Sequence, residues 1–253
     1  MPATGIPPKS WRRHDAVAWP WPRATLFLVF ALGIWVSASG LVDSIVTYRE
    51  DIVYLTKQHL VLVVSSGTAA ILVGLPVGIW LSRPSMERYA ETVMQVFNIG
   101  TTIPTLAVVA LSMTLLGIGF PPAFFGLFVA SLLPIVRNTY AGLLTVPSHL
   151  KEAATGMGMT RRQILWRIEL PNALYVIFSG IRTALAINVG TTPLAFLIGG
   201  GGLGELIFTG IDLMDTGMLL AGAIPTAALA VAVDFLMGQA QLHLIPKGVN
   251  PLR

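Results

Sequence analysis

The chain has 253 residues, 54% of them hydrophobic and only 11% charged, and its mean hydropathy is +0.74. Soluble globular chains carry roughly 25% charged residues, so this composition excludes a soluble globule and implies an integral membrane protein. The absence of cysteine excludes a disulfide framework, thiolate metal sites and a thiol nucleophile, and the net charge of +4 bears on orientation in a bilayer and not on nucleic acid.

Residues 1–23, with Trp11, Trp19 and Trp21 among prolines, read as an irregular cytoplasmic tail at the lipid headgroups, where tryptophan is favoured. Six apolar runs follow, each near the roughly 20 residues that span a bilayer core. They are Ala24 to Val46, Leu60 to Leu81, Tyr89 to Gly117, Pro122 to Leu144, Leu174 to Ile198 and Gly217 to Gly238. The first has the look of a signal peptide, with Arg12, Arg13 and Arg23 before Leu26 to Trp35 and Val36-Ser-Ala38 after it. Its apolar character continues to Val46, which favours a retained anchor over a cleaved leader. The chain thus divides into the tail 1–23, an accessory span with an external loop over 24–57, a transmembrane domain over 58–245 with a cytoplasmic loop at 146–171, and a short cytoplasmic tail 246–253.

Basic residues sort to one side. Lys9, Arg12, Arg13, Arg23, Arg83, Arg88, Arg137, Lys151, Arg161, Arg162, Arg167, Lys247 and Arg253 fall on the side of the termini. Arg49 and Lys57 lie opposite, with Glu50, Asp51, Glu205, Asp212 and Asp215. The positive-inside rule then predicts both termini in the cytoplasm.

Pro76, Pro104, Pro134, Pro193 and Pro225 are each expected to interrupt a helix, which a membrane tolerates where neighbouring helices, hydroxyls or water satisfy the freed backbone. Asn98-Ile-Gly-Thr-Thr-Ile-Pro104 is echoed by Asn188-Val-Gly-Thr-Thr-Pro193. Asn98, Thr101, Thr102, Asn188, Thr191 and Thr192 either line a polar route or let helices pack closely. Arg182 and Asp234 are charges inside spans; they either pair or snorkel to the interface.

Other chemistry is thin. Gly199-Gly-Gly-Gly-Leu-Gly204 contains GxGxxG but follows a transmembrane run, so a tight external turn is expected and not a dinucleotide site. No GxxxxGK[ST] is present to cradle ATP phosphates. His14, His59, His149 and His243 are scattered and read as interfacial or loop residues, so no metal site is expected, and no serine elbow or paired carboxylates mark a catalytic residue.

The segment Glu152-Ala-Ala-Thr-Gly-Met-Gly158, followed by Arg161, Arg162, Arg167 and Ile168-Glu-Leu-Pro171, is charged and lies between apolar runs. Gly158 suits a left-handed helix C-cap, Thr160 and Gln163 form a capping box that starts a second short helix, and Pro171 is expected to bias Leu170 out of it. The pattern Glu-Ala-Ala, three residues, Gly, nine residues, Ile-x-Leu-Pro resembles the permease subunits of binding-protein-dependent ABC importers. Ile103-Pro-Thr-Leu-Ala107, Leu133-Pro-Ile-Val-Arg-Asn-Thr-Tyr140, Gly180-Ile-Arg-Thr-Ala184 and Ile198 to Glu205 look like the branch that imports glycine betaine, choline or carnitine. Thr192-Pro193 departs from the alanine-rich stretch of that branch and leaves the exact substrate open.

The resemblance implies an all-α membrane protein of about six transmembrane helices, a five-helix importer core plus an N-terminal accessory helix, in a bacterial inner membrane. It implies ATPase coupling through Glu152, Ala153, Ala154, Gly158, Ile168, Leu170 and Pro171. ATP and Mg would be bound by a cytoplasmic ATPase, with no cofactor in this chain. The further partners are a second permease, identical or sibling, and an extracytoplasmic binding protein that delivers substrate and holds any aromatic cage for a quaternary ammonium. Rival readings are a permease for another small solute, such as an amino acid or an oxyanion, and a secondary transporter or channel.

Overall fold

The computed structural model describes residues 40–245 together with Thr25 and Phe30. The chain divides into two compact units, Met1–Asp43 and Ser44–Arg253. The tail 1–23, residues 24, 26–29 and 31–39 of the first apolar run, Lys247 and Arg253 lie outside the described residues. Among the described residues all regular structure is helical.

The short helix α1 (Leu41–Thr47) is followed by α2 (Arg49–Leu81), whose 33 residues reach about 50 Å. That exceeds a hydrocarbon core of about 30 Å, because Arg49, Glu50 and Lys57 are good helix formers, acidic Glu50 and Asp51 suit the first turn, and together they extend the helix beyond its apolar part. A 3₁₀ turn at Pro84–Met86 leads into α3 (Glu87–Thr102) and α4 (Thr105–Leu116). Then come α5 (Phe120–Leu144), α6 (Ser148–Gly156) and a continuous run made of α7 (Arg161–Ile164), a π-helical turn (Leu165–Glu169), α8 (Leu170–Thr191) and a 3₁₀ stretch (Thr192–Ile198). Helices α9 (Gly204–Asp212) and α10 (Thr216–Leu244) complete the bundle.

Four helical segments are long and apolar enough to cross a membrane: α2, α5, Arg161–Ile198 and α10. The run from Tyr89 to Gly117 is not a straight span. Pro84–Gly100 and Thr105–Leu116 meet at 96°. Steric pressure from Pro104 holds Ile103 extended, at ψ 123°, which ends α3. The other prolines behave differently. Pro76, Pro134 and Pro225 sit inside helices that continue past them, so the expectation that each interrupts a helix fails there.

Helix α5 is the centre of the bundle, packed against α2, α4 and α8. Small residues allow the approach. A Cβ at Gly74 would lie 2.8 Å from Ile135, and one at Gly78 2.5 Å from Thr139, so this pair of glycines one turn apart lets α2 close on α5. The buried residues Ala70, Ile135, Leu143, Ala173, Ile177 and Ala184 fill the space between α2, α5 and α8. Outward-facing Leu72, Leu115, Val231 and Leu236 remain exposed, as expected of helices that are hydrophobic all round and meet lipid.

Candidate functional site

The α6–α7 hairpin is built by its own backbone. Gly158 adopts φ +78°; its N–H donates to Thr155 O at 2.9 Å, while Met159 N–H reaches back to Ala154 O at 3.1 Å. Those two bonds are a Schellman cap, which needs a residue at ease in the left-handed region at Gly158 and closes over Ala154, now buried. Thr160 then starts α7: its N–H donates to Gln163 Oε1 at 2.8 Å and its hydroxyl accepts from Gln163 N at 3.3 Å, a complete capping box.

Pro171 does not release Leu170 from the helix. The preceding turn widens into a π turn, in which Leu170 N–H donates to Leu165 O, and Leu170 keeps helical angles. The wider turn makes room for the proline ring, and Asn172 Nδ2 donates to Ile168 O at 2.7 Å. The expected second short helix is therefore the first turns of the α8 run. Of the motif residues, Glu152, Ala153 and Gly158 are exposed, Ala154 is buried, and Ile168, Leu170 and Pro171 are half-buried. Met157 and Trp166 add exposed apolar surface beside exposed Arg161, Arg162 and Arg167.

Glu169, within the π turn, is nearly buried and receives a hydrogen bond from Arg83 Nη1 at 2.6 Å. Arg83 also donates from Nε to Ile79 O at 3.1 Å. The end of α2 is thus fastened to the root of the hairpin. Nothing in the sequence pairs these two residues, which stand 86 positions apart.

In the bundle centre, Asn188 is fully buried and its Nδ2 donates to Ser66 Oγ at 2.9 Å and Ser131 Oγ at 2.7 Å, joining α8 to α2 and α5. Thr192, also buried, donates to Asn188 O at 2.7 Å. These two residues of the echoed motif turn into the core, where the Ser66 and Ser131 hydroxyls accept from Asn188 and the Asn188 carbonyl accepts from Thr192. Thr191 is partly accessible and donates back to Ile187 O, and exposed Thr102 does the same to Ile99 O. Thr101 lies in the last turn of α3 and Asn98 is half-buried one turn earlier.

His59 is neither interfacial nor in a loop. It is fully buried, and its Nε2 lies 3.1 Å from Val189 O, the carbonyl that Pro193 leaves without its helical donor. That contact places the ring proton on Nε2. The signal for it was the missing proline N–H, not any histidine spacing.

Arg182 of α8 and Asp234 of α10 face one another. Nε donates to Oδ1 and Nη2 to Oδ2, each at 2.5 Å, a bidentate fork that retains 39% and 43% of side-chain exposure. A cleft of about 390 Å³ opens beside the pair, lined also by Tyr175, Ser179, Thr183, Ile187 and Gln241. Ile187 borders a second, larger groove of about 580 Å³ between α5 and the bent α3–α4 pair, lined mainly by apolar side chains.

At the end of the bundle opposite the hairpin, the glycine run forms the expected tight turn. Gly199, Gly201 and Gly202 have φ between +74° and +88°, and Gly202 N–H donates to Gln58 Oε1 at 3.0 Å. Asp215 caps α10, its Oδ1 accepting from Met218 N at 2.9 Å, while Oδ2 accepts from the Tyr48 hydroxyl at 3.0 Å. The backbone N–H of Met218, and then the phenol, hold the Asp215 carboxyl below its ordinary value; the same bond raises Tyr48. Among the described residues no cluster of metal-ligating side chains occurs.

Residues 74–246, more than half of the chain, match the family described as binding-protein-dependent transport system inner membrane component. The chain belongs to this family. It is therefore an inner-membrane permease component, and the α6–α7 hairpin lies within the matched region. The osmoprotectant import permease protein OsmY of Salmonella typhimurium is 53% identical over 88% of this chain and 94% of its own length. The choline transport system permease protein OpuBB of Bacillus subtilis is 38% identical over 84% and 97%. The carnitine transport permease protein OpuCB of Listeria monocytogenes is also 38% identical, over 83% and 98%. Among solved structures, a chain of the MetNI methionine ABC transporter in an inward-facing conformation superposes with a TM-score of 0.67 and 25% identity, covering 76% of this chain and 97% of that one.

Proposed function

We propose that this chain is the permease subunit of an ABC importer that carries an osmoprotectant such as glycine betaine, choline or carnitine into the cell. ATP is hydrolysed by a separate cytoplasmic subunit that docks on the α6–α7 hairpin. A second permease, identical or sibling, completes the pathway, and an extracytoplasmic binding protein delivers the solute to the end marked by the glycine turn and Asp215. The observation that carries the mechanism is the hairpin: a rigid, doubly capped tip with exposed Glu152, Met157 and Trp166, whose root is tied to α2 through Arg83 and Glu169. A push on the tip moves two spans together. The substrate class rests on the 53% identity to an osmoprotectant permease over most of the chain.

Transport follows from a path that water and a small zwitterion can enter, and the polar face of α8 past Ser179, Thr183 and Thr191 is where that path runs. Thr102 at the α3–α4 bend extends it, while Asn98 and Thr101 sit in the turn behind and Asn188 and Thr192 brace it from the core. The test is uptake of radiolabelled glycine betaine, choline and carnitine by the complete transporter in proteoliposomes with enclosed ATP. ATP-dependent accumulation of at least one supports the reading. Accumulation of methionine or another amino acid, with none of the three moved, assigns the chain to a different solute.

A further inference from the structure

Arg182 and Asp234 stand well inside their helices, away from the ends. Arg182 is about 18 Å of helix from Leu170, and Asp234 about 15 Å from the end of α10. An aspartate side chain is far too short to snorkel over that distance. A bare ion pair at such depth gains little over an apolar pair, since desolvation of both charges offsets their attraction. Yet this pair is not sealed by packing: both side chains stay about two-fifths exposed, and they open onto the cleft between α8 and α10. Gly238 lies beside the guanidinium, where a Cβ would stand in van der Waals contact, 3.4 Å from Arg182 Nη1. Among the described residues Nη1 has no acceptor, so the guanidinium retains donors directed elsewhere than at Asp234.

We propose that the cleft beside Arg182 and Asp234 is an intramembrane subsite for the transported zwitterion. An ion pair has a positive and a negative end, and a zwitterion lying alongside it in the opposite sense meets both. The solute carboxylate is received by Arg182 and its quaternary ammonium lies against Asp234, with the Tyr175 ring on the cleft wall available for cation–π contact. Ser179 and Thr183 supply hydroxyls for the carboxylate or for water carried with it. At about 390 Å³ the cleft falls in the lower part of the range, about 300–1,000 Å³, of small-molecule pockets. The subsite is neutral overall, so it takes a neutral zwitterion without leaving net charge in the membrane. A cation without a carboxylate lies against Asp234 in the same way but offers Arg182 no acceptor and adds a net charge to the membrane interior, so the subsite selects glycine betaine or carnitine over choline.

This proposal rests on the reading of the chain as an osmoprotectant permease, and the experiment separates the two. The chain has no cysteine, so Ser179→Cys and Thr183→Cys each place one thiol in the cleft and Ser85→Cys places a control at an exposed turn. The permease–ATPase complex, without binding protein, is treated with a small cationic methanethiosulfonate reagent. Glycine betaine at ten times its half-protecting concentration should slow labelling at both cleft positions about tenfold. Choline at the same concentration should slow it less than about twofold, and Ser85→Cys should be unaffected. Asp234→Asn introduced beside Thr183→Cys should abolish the protection. Equal labelling with and without glycine betaine at both cleft positions, in a preparation whose unsubstituted transporter accumulates glycine betaine, overturns the subsite and leaves the pair a structural one. Equal protection by choline overturns the zwitterion selectivity. If the unsubstituted transporter moves none of the three solutes, the functional reading falls and the subsite with it.

Discussion

The hairpin at one end of the bundle and the polar centre halfway across it are held together by different kinds of bond. Within the hairpin, the backbone and capping hydrogen bonds that shape the tip join residues at most five apart: Gly158 to Thr155, Met159 to Ala154, Thr160 to Gln163, Leu170 to Leu165. In the centre the bonds join helices far apart in sequence: Asn188 to Ser66 and Ser131, His59 to Val189, Arg182 to Asp234. A tip closed on itself keeps its shape when pushed. A centre tied helix to helix changes shape when the helices move, and that is where a solute path has to open and close. Arg83 and Glu169 lie at the junction of the two regions.

Breaking the junction should have the largest effect. Arg83→Ala leaves Glu169 nearly buried without its cation. Fully buried pairs lose about 3–5 kcal/mol on such truncation; because Arg83 itself keeps 26% exposure, a loss of about 2–3 kcal/mol is expected. Thermal unfolding in detergent measures it, and ATP-driven uptake should fall further than stability does, since the hairpin then moves without α2. Wild-type uptake at an unchanged melting temperature would show the two regions to be independent.

Asn188→Ala tests the centre alone. The serines would still donate to Leu62 O and Leu127 O, so only the cross-helix bonds and the packed amide are lost, at a cost of about 2 kcal/mol. Asn188→Ser should recover part of it. Copurification of the ATPase should not change, because the hairpin is remote from this site.

The same division explains what could be read from the sequence. Gly158, Thr160 and Gln163 announce their structure because the partners lie within a few residues. Pro171 misleads, since a proline's effect depends on whether the turn before it can widen, and here Leu165 to Glu169 do so. Pro76, Pro134 and Pro225 mislead for the related reason that their helices continue, whereas Pro104 follows Ile103 held extended and makes a 96° bend. His59 was invisible because its partner is a carbonyl exposed by Pro193 across the bundle. Arg182 and Asp234 stood out by chemistry, as charges within apolar runs; that they meet is a matter of how α8 packs on α10.

The tip comes next in size. Gly158→Val forces a β-branched residue to φ +78°, at a local cost of about 1–2 kcal/mol. Global melting should move little, because the turn is exposed and can refold alone, while uptake and ATPase copurification fall sharply. Glu152→Lys should weaken copurification through charge alone, with melting unchanged. Full uptake in both variants would remove the hairpin from ATPase docking.

The smallest effect is expected at the far end, where Tyr48 and Asp215 are joined. The folded state lowers the Asp215 carboxyl below its ordinary value of 3.8, first through the Met218 N–H and second through the Tyr48 hydroxyl. A lowered carboxylate contributes stability that is fully present above its unfolded value and is lost as pH falls through the folded one, so melting should decline below about pH 4.5. Asp215→Asn keeps a side chain able to cap α10 and should flatten that part of the decline. Tyr48→Phe should flatten it less, because the larger contribution, from Met218, remains. At the alkaline side the sign reverses: Tyr48 is raised above 10.0, so its contribution is present below that value and is lost as pH rises through the folded one. Tyr48→Phe removes this alkaline loss altogether. An acid limb flattened as fully by Tyr48→Phe as by Asp215→Asn would mean that the bond between Tyr48 and Asp215, and not the helix cap, secures this end, making it a cross-helix joint like those of the centre.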